Sequence, residues 1–349
     1  MTITVDSAPL LADAADVRRA PERYRVLTGD RPTGPLHLGH YFGTLHNRVQ
    51  LQSLGVETFL VIADYQVITD RTKPGAIAAN VREIVLDYLA VGMDPARTTI
   101  FAHSAVPTLN QLLLPFLSLA SVAELQRNPT VKDEATAAGI SAISGLLLTY
   151  PVHQAADILS CHGTLVPVGR DQLPHVEQTR LIARRFNERY AVGRAVFAEP
   201  QALLSPAPVL LGVDGRKMSK SRGNAIEIKA SEDETARMIR RAVTDPHRVI
   251  TYEPESRPEV SSLVLIAALC LDSSPEAVAD LIGDRGSSAL KSLVTDAVNA
   301  HLGPVRARRA ELARDPSFVG DLLREGAARA RAEADRTLAT VHDALGMRY

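Results

Sequence analysis

The chain has 349 residues, 46% of them hydrophobic, and a formal net charge of −1 at pH 7. That length supports two domains, or one large domain with an appendage, and the apolar content supports a full core. The balanced charge excludes whole-molecule steering to nucleic acid, so any RNA site has to be a local patch.

Residues 1–23 are rich in Ala and Asp and lack a basic stretch followed by a long apolar core, so they read as a mobile N-terminal extension and not as a secretory signal. Arg25 to Tyr41 reads RVLTGDRPTGPLHLGHY. Val26-Leu27 enters a turn made of Gly29, Pro32, Gly34 and Pro35. His37-Leu38-Gly39-His40 then opens a helix to about Leu54, with Leu45, Val49, and Leu51 or Gln52 facing inward and Gly55 at its end. Thr58 to Asp64 is a buried strand by its continuous apolar run. Ala76 to Val91 is an amphipathic helix, Thr99 to Phe101 a short strand, and Pro107 to about Leu125 mostly helical. Pro151 suits the first position of a helix that runs to about Cys161. Thr164 to Gly169 is a strand, and Asp171 caps a helix to about Tyr190 with Pro174 in its first turn. Strands alternating with helices predict a parallel α/β sheet over residues 24–228.

After Lys229 the character changes. Ser231 to Glu234 is a capping box opening a helix to about Val243. Helices follow near 259–271, 275–282, 287–301, 304–314 and 317–345, with Gly303-Pro304 as a stop. The pattern predicts an all-helical domain over 229–349. Cys161 and Cys270 stand far apart without a CxxC, so no zinc site or disulfide framework follows; both read as small apolar side chains in a reducing compartment. The longest apolar run, Leu263 to Leu271, is too short to span a bilayer, and the expected location is the cytoplasm.

Two stretches carry chemistry. A strand, a glycine-rich turn and a helix start make a phosphate site, because unpaired backbone N–H groups face the anion. His37 and His40 add donors from one helix face, and Gly39 lets a flat base or ribose approach the backbone. The bland alternative is a core histidine beside a solvated one. Lys217-Met218-Ser219-Lys220-Ser221 reads KMSKS and supplies cations and hydroxyls for phosphate oxygens. Tyr150, Gln154 and Asp157 share a helix face. A tyrosine hydroxyl and an amide suit an α-ammonium group, and the Asp157 carboxylate suits a side-chain N–H or O–H. Ala155-Ala156 leave room for a large flat side chain, and Gln172 stands ready to add a polar contact. The bland alternative for Asp157 is a helix cap or an arginine partner.

HxGH followed by KMSKS resembles the motif pair of class I aminoacyl-tRNA synthetases. Tyr150-Pro151, Gln154 to Leu159, Val166 to Gly169, Asp171-Gln172, Thr179-Arg180, Arg185 to Asn187, LAVGMDP (89–95), HSAVP (103–107) and KMSKSRGNAI (217–226) narrow the likeness to bacterial tryptophanyl-tRNA synthetases, over roughly residues 25–345. The resemblance implies a Rossmann-type catalytic domain, a helical anticodon-binding domain and a homodimer. It implies that Mg-ATP activates L-tryptophan to the adenylate for transfer to tRNA(Trp). It also implies that His37, His40, Lys217 and Lys220 are the catalytic donors. ATP contacts are implied at Arg31-Pro32-Thr33, Gly39-His40, Gly169-Arg170-Asp171, Val209 and the 217–221 loop with Met218, Ser219 and Ser221; Asp157 is implied as the acceptor of the indole N–H. Arg31, Gln66, Glu134 and Gln154 depart from the commoner bacterial pattern, which has Gln, His, Lys and Met there. They mark a divergent form with altered pocket polarity, expected to reject some tryptophan-like inhibitors.

Three other readings stand beside this one. Tyrosyl-tRNA synthetase shares the fold and a Tyr-x3-Gln-x2-Asp helix. A small HxGH nucleotidyltransferase would leave KMSKS without a purpose. A non-catalytic binding or regulatory paralogue is opposed by the intact histidines and lysines.

Overall fold

The computed structural model describes residues 9–69, 75–137, 139, 142–191, 193–204, 210–219 and 222–349. Its first helix is α1 (Ala14–Arg19), followed by β1 (Arg25–Asp30). Next come α2 (Leu38–His40), a π-helical turn over Tyr41–Leu45, α3 (His46–Ser53) and β2 (Glu57–Ile62). The chain continues through α4 (Ile77–Ala90), β3 (Thr98–Ala102), α5 (Thr108–Leu117), α6 (Val122–Arg127), α7 (Pro129–Ala137) and α8 (Gly145–Ser160). It closes the sheet with β4 (Leu165–Val168), α9 (Leu173–Tyr190) and β5 (Gln201–Leu204). Then follow α10 (Glu232–Arg240), α11 (Pro258–Leu271), α12 (Pro275–Ile282), α13 (Gly286–Leu312) and α14 (Phe318–Ala344).

Among the described residues the five strands form one parallel sheet in the order β3-β2-β1-β4-β5. The α/β expectation is therefore met. The chain leaves β1 toward β2 and later returns to its other side with β4. The strand order thus reverses between β1 and β4, the point at whose carboxyl ends such sheets hold ligands. Gly29 is obligatory at the β1 end: a Cβ there would stand 2.1 Å from the Val61 carbonyl oxygen of the paired strand.

Several local expectations are corrected. From Leu10 onward the supposed mobile extension is packed. Ala12 donates to the Ala202 carbonyl, Ala202 donates to that of Leu10, and Val17 of α1 is buried with Val26, Leu165 and Leu203. The segment covers the β5 edge, which would otherwise present unpaired backbone groups. α8 begins at Gly145, capped by Ser144, so Pro151 sits inside the helix and not at its start. Asp171 caps nothing: a 3-10 turn over Arg170–Gln172 precedes α9, whose cap position is Gln172. α13 runs through Gly303-Pro304 without stopping, with Leu302 and Val305 buried on either side of the proline. In both helices tertiary burial outweighs the loss of one backbone hydrogen bond at proline.

The boundary expected at residue 229 does not separate two cores. Leu36, Leu38 and Leu45 share one apolar cluster with Ile226, Ile239, Leu263, Leu290 and Val298. The last helix starts in this cluster with Val319 and Leu322 and then leaves the helical group. α14 lies on β3 at Gly326, where a Cβ would stand 1.8 Å from the Ile100 carbonyl oxygen. Glu333 pairs with Arg25 at 2.6 Å, and Thr337 donates to the Ser160 carbonyl at 2.7 Å.

Candidate active site

At the end of β1, Asp30 accepts from Arg48 at 2.5 Å and from the Tyr88 hydroxyl at 2.6 Å, while Arg48 also reaches the Gly29 carbonyl. Burial alone would push the Asp30 carboxyl up; Arg48, His40 and Tyr88 outweigh it and hold the group well below the usual carboxylate range. This ion triad sits directly behind the HxGH turn and fixes the strand end from which the turn departs.

His37 is extended, 6% exposed, and occupies the cap position of α2. Its backbone N–H donates to His40 Nδ1 at 3.3 Å, and the two rings lie 3.8 Å apart. Gly39 is needed because a Cβ would come 3.0 Å from the His37 ring. The buried Asp87 carboxylate accepts from the Leu36 N–H at 3.1 Å and from Arg309 at 2.7 Å, which ties the turn to α4 and α13.

The second motif is brought directly against the first. Leu38 donates to the Ile226 carbonyl and Ile228 donates to that of Leu36, both at 3.0 Å, so the segment after KMSKS pairs with HxGH backbone to backbone. Gly212 to Met218 folds as a tight hairpin: Gly212 donates to Arg216 and Met218 to Leu210. Asn224, almost fully buried, accepts from the Ser219 N–H at 2.8 Å and donates to Asp214 at 2.6 Å. Met218 is buried in the shared core, and Lys217 is exposed beside it. Lys220, Ser221 and Val209 lie outside the described residues. A cleft of about 660 Å³ opens between residues 223–230 and α10, with His37 in its wall. Its rim mixes Lys229, Arg237 and Arg241 with Glu227 and Glu234, so it does not by itself select an anion.

Arg31, Pro32 and Thr33 form the turn above β1. The Arg31 guanidinium lies 3.5 Å from Thr69 Oγ1 and 3.5 Å from Glu134 Oε1 of α7. Two of the four positions that depart from the common pattern therefore face each other as an ion pair. On the β4 side, Arg170 and Asp171 are exposed after the strand, and Gly169 carries no side chain that would strike Asp171 Oδ1.

Tyr150, Gln154 and Asp157 do share the inner face of α8. The Tyr150 hydroxyl is within 2.8 Å of His175 Nε2, and burial holds His175 down to about 4, hence neutral. Gln154 is half-buried, whereas Asp157 is 4% exposed. Gln172 bonds its neighbour Asp171 at 3.3 Å and not the α8 face. Sequence reasoning missed His103, His153 and Asn110. His103 Nδ1 lies 3.0 Å from Asp157 Oδ1, at ion-pair distance but without hydrogen-bond alignment. His153 bridges Gln66 Nε2 at 3.2 Å and Asn110 Oδ1 at 3.1 Å. One signal was available: His103 stands two residues after the predicted strand Thr99 to Phe101, at the sheet end where ligands bind.

The model of class I tRNA synthetases for tryptophan and tyrosine matches residues 19–303. This chain belongs to that family. The tryptophan–tRNA ligase of Treponema pallidum is 44% identical over 335 residues, covering 93% of this chain and 97% of that protein. The tryptophanyl-tRNA synthetase of Campylobacter jejuni, solved with ADP and tryptophan, superimposes with a TM-score of 0.80 at 32% identity, over 92% of this synthetase and 99% of that chain. The tyrosyl-tRNA synthetase of Archaeoglobus fulgidus has a TM-score of 0.67 at 22% identity, over 87% and 96% of the two chains. At that distance the likeness concerns the fold alone. In the synthetase, the HxGH turn is thus paired backbone to backbone with the segment that follows KMSKS.

Proposed function

We propose that the synthetase is a tryptophan–tRNA ligase: it joins L-tryptophan to the 3′ end of tRNA(Trp) at the expense of ATP. The observation that supports the reading is the backbone pairing of Leu36 and Leu38 with Ile226 and Ile228, which brings the segment after KMSKS to the HxGH turn. The tryptophan carboxylate is already ionised near pH 7 and needs no general base. It attacks the α-phosphorus, the bond to pyrophosphate breaks, and tryptophanyl-adenylate forms. A ribose hydroxyl of the tRNA end then attacks the acyl carbon, and AMP leaves.

His37, His40, Lys217 and Lys220 supply the positive charge and donors that this transition state needs. Arg31, Pro32, Thr33 and Gly39 line the nucleotide from the β1 side, and Gly169, Arg170 and Asp171 from the β4 side. Val209, Met218, Ser219 and Ser221 are assigned to ATP as well. Mg²⁺ would ride on the phosphates. Phosphate oxygens and water suit the ion's octahedral demand. Tyr150, Gln154, Asp157 and Gln172 receive the amino acid, with Asp157 accepting the indole N–H.

The helical group 229–317 is read as the anticodon side, the working form as a homodimer, and the location as the cytoplasm, where ATP and tRNA are found. Among the described residues no single helix is long and apolar enough to cross a membrane. The test is amino-acid-dependent ATP–pyrophosphate exchange. Exchange with tryptophan and not tyrosine is expected. Exchange with tyrosine alone would overturn the pocket assignment, and exchange with neither would overturn the ligase reading.

A further inference from the structure

Beside Asp157 lies a polar cluster that the two motifs leave unexplained. His103 has no exposed surface, His153 is 3% exposed and Gln66 7%. Both ring nitrogens of His103, Oδ1 of Asp157 and Oε1 of Gln66 are buried without an aligned hydrogen-bond partner. Burying such groups without partners is costly. Of these, His103 Nδ1 and Asp157 Oδ1 face each other at 3.0 Å, which leaves the other oxygen of Asp157 for a ligand.

We propose that His103 is a positioning residue for tryptophan specificity: it engages one oxygen of Asp157 and so presents the other to the indole N–H. The proposal rests on the reading of Asp157 as the indole acceptor. A carboxylate alone on a helix face can turn; one held at Oδ1 by a ring 3.0 Å away has a fixed direction. The His103 ring is itself confined. The His153 ring packs on it with centroids 4.2 Å apart, Tyr65 stands edge-on at 5.5 Å, and His153 is held at both nitrogens by Gln66 and Asn110. A substrate without an N–H, such as phenylalanine, leaves the second oxygen unsatisfied and is rejected.

The arrangement also makes binding depend on pH. The groups facing His103 are Asp157 and His153 from α8, Asp64, Tyr65 and Gln66 from the segment after β2, and Asn110 from α5. Burial alone would lower the His103 pKa, but Asp157 and Asp64 outweigh it and raise the group above its ordinary value. A protonated His103 draws charge from Asp157 and weakens it as an acceptor. Tryptophan binding therefore tightens as pH rises and His103 loses its proton, while the neutral ring stays 3.0 Å from Asp157 Oδ1.

The experiment is tryptophan-dependent ATP–pyrophosphate exchange from about pH 6 to about 8.5, the range in which histidine titrates. It compares wild type with His103→Asn, His103→Leu and Asp157→Asn. Asparagine places an amide donor where Nδ1 stands and does not titrate. The KM for tryptophan of the wild type is expected to fall severalfold as pH rises, with the KM for ATP unmoved. In His103→Asn it should be flat and close to the alkaline wild-type value. In His103→Leu it should be about tenfold higher at every pH. A His103→Asn profile that titrates like the wild type overturns the inference, and this variant decides alone if His103→Leu does not fold. Asp157→Asn separates the two readings. If it binds tryptophan normally, the pocket reading fails and takes the inference with it. If it is impaired while both His103 variants are silent, only the inference fails.

Discussion

His40 and Asp30 work at the two sides of one turn, and substitutions there should have different signatures. In the proposed reaction His40 meets phosphate charge. His40→Ala is expected to lower the rate of tryptophan-dependent exchange by about 10²–10³, the usual loss for one preorganised donor. Single-turnover adenylate formation measures it. Asp30 works through stability. Its carboxyl is held below its ordinary value in the folded state, so its contribution is complete above the unfolded value near pH 4 and is lost as pH falls through and below that value. Asp30→Asn should therefore be less stable by roughly 3–5 kcal/mol at neutral pH, because Arg48 remains buried without its partner. Its urea midpoint should also fall less steeply than that of the wild type between about pH 5 and about pH 2. The residues of the two motifs were legible in the sequence because their chemistry demands fixed types at short spacing. Asp30, Arg48 and His103 were not, since each is defined by a partner brought from another element.

Elements obey longer-range forces than local rules describe. Pro151 and Pro304 looked like a start and a stop, yet both lie inside helices whose apolar faces are buried on either side. β5 has four residues and no alternation, so nothing in QALL announced a strand; it exists because β4 and the segment at Leu10–Ala12 flank it. The π-helical turn after HxGH also left no local signature. It brings the Tyr41 hydroxyl within 3.0 Å of His301 Nε2 on α13. The clearest test at this scale is Gly326 of α14. Gly326→Leu would drive a side chain into the Ile100 carbonyl and lift the helix from β3. A loss of at least about 2 kcal/mol in urea unfolding is expected, with overpacking and an unsatisfied backbone as the causes.

For the whole molecule, the apolar cluster that links residues 36–45 to α10, α11 and α13 means that the sheet half and the helical half are not independent folding units. A fragment of residues 24–228 lacks that cover and lacks α14. It should bind a hydrophobic dye and give a broad thermal transition, where the full chain gives a sharp one. A cooperative, dye-silent fragment would show that the halves separate after all. Composition and pattern revealed the parallel sheet and the helical C-terminal half. They could not reveal that the chain's last helix returns to the sheet, because α14 has the same amphipathic pattern whichever neighbour it meets. That return sets a schedule for the nascent chain. β3 ends at Ala102, while the helix that covers it starts at Phe318. At about 5–20 residues per second, synthesis leaves the β3 face bare for roughly 10–40 s. During that interval the emerging sheet offers Phe101 and its neighbours to any passing surface, so chaperone demand for this protein should be concentrated before its final helix is made.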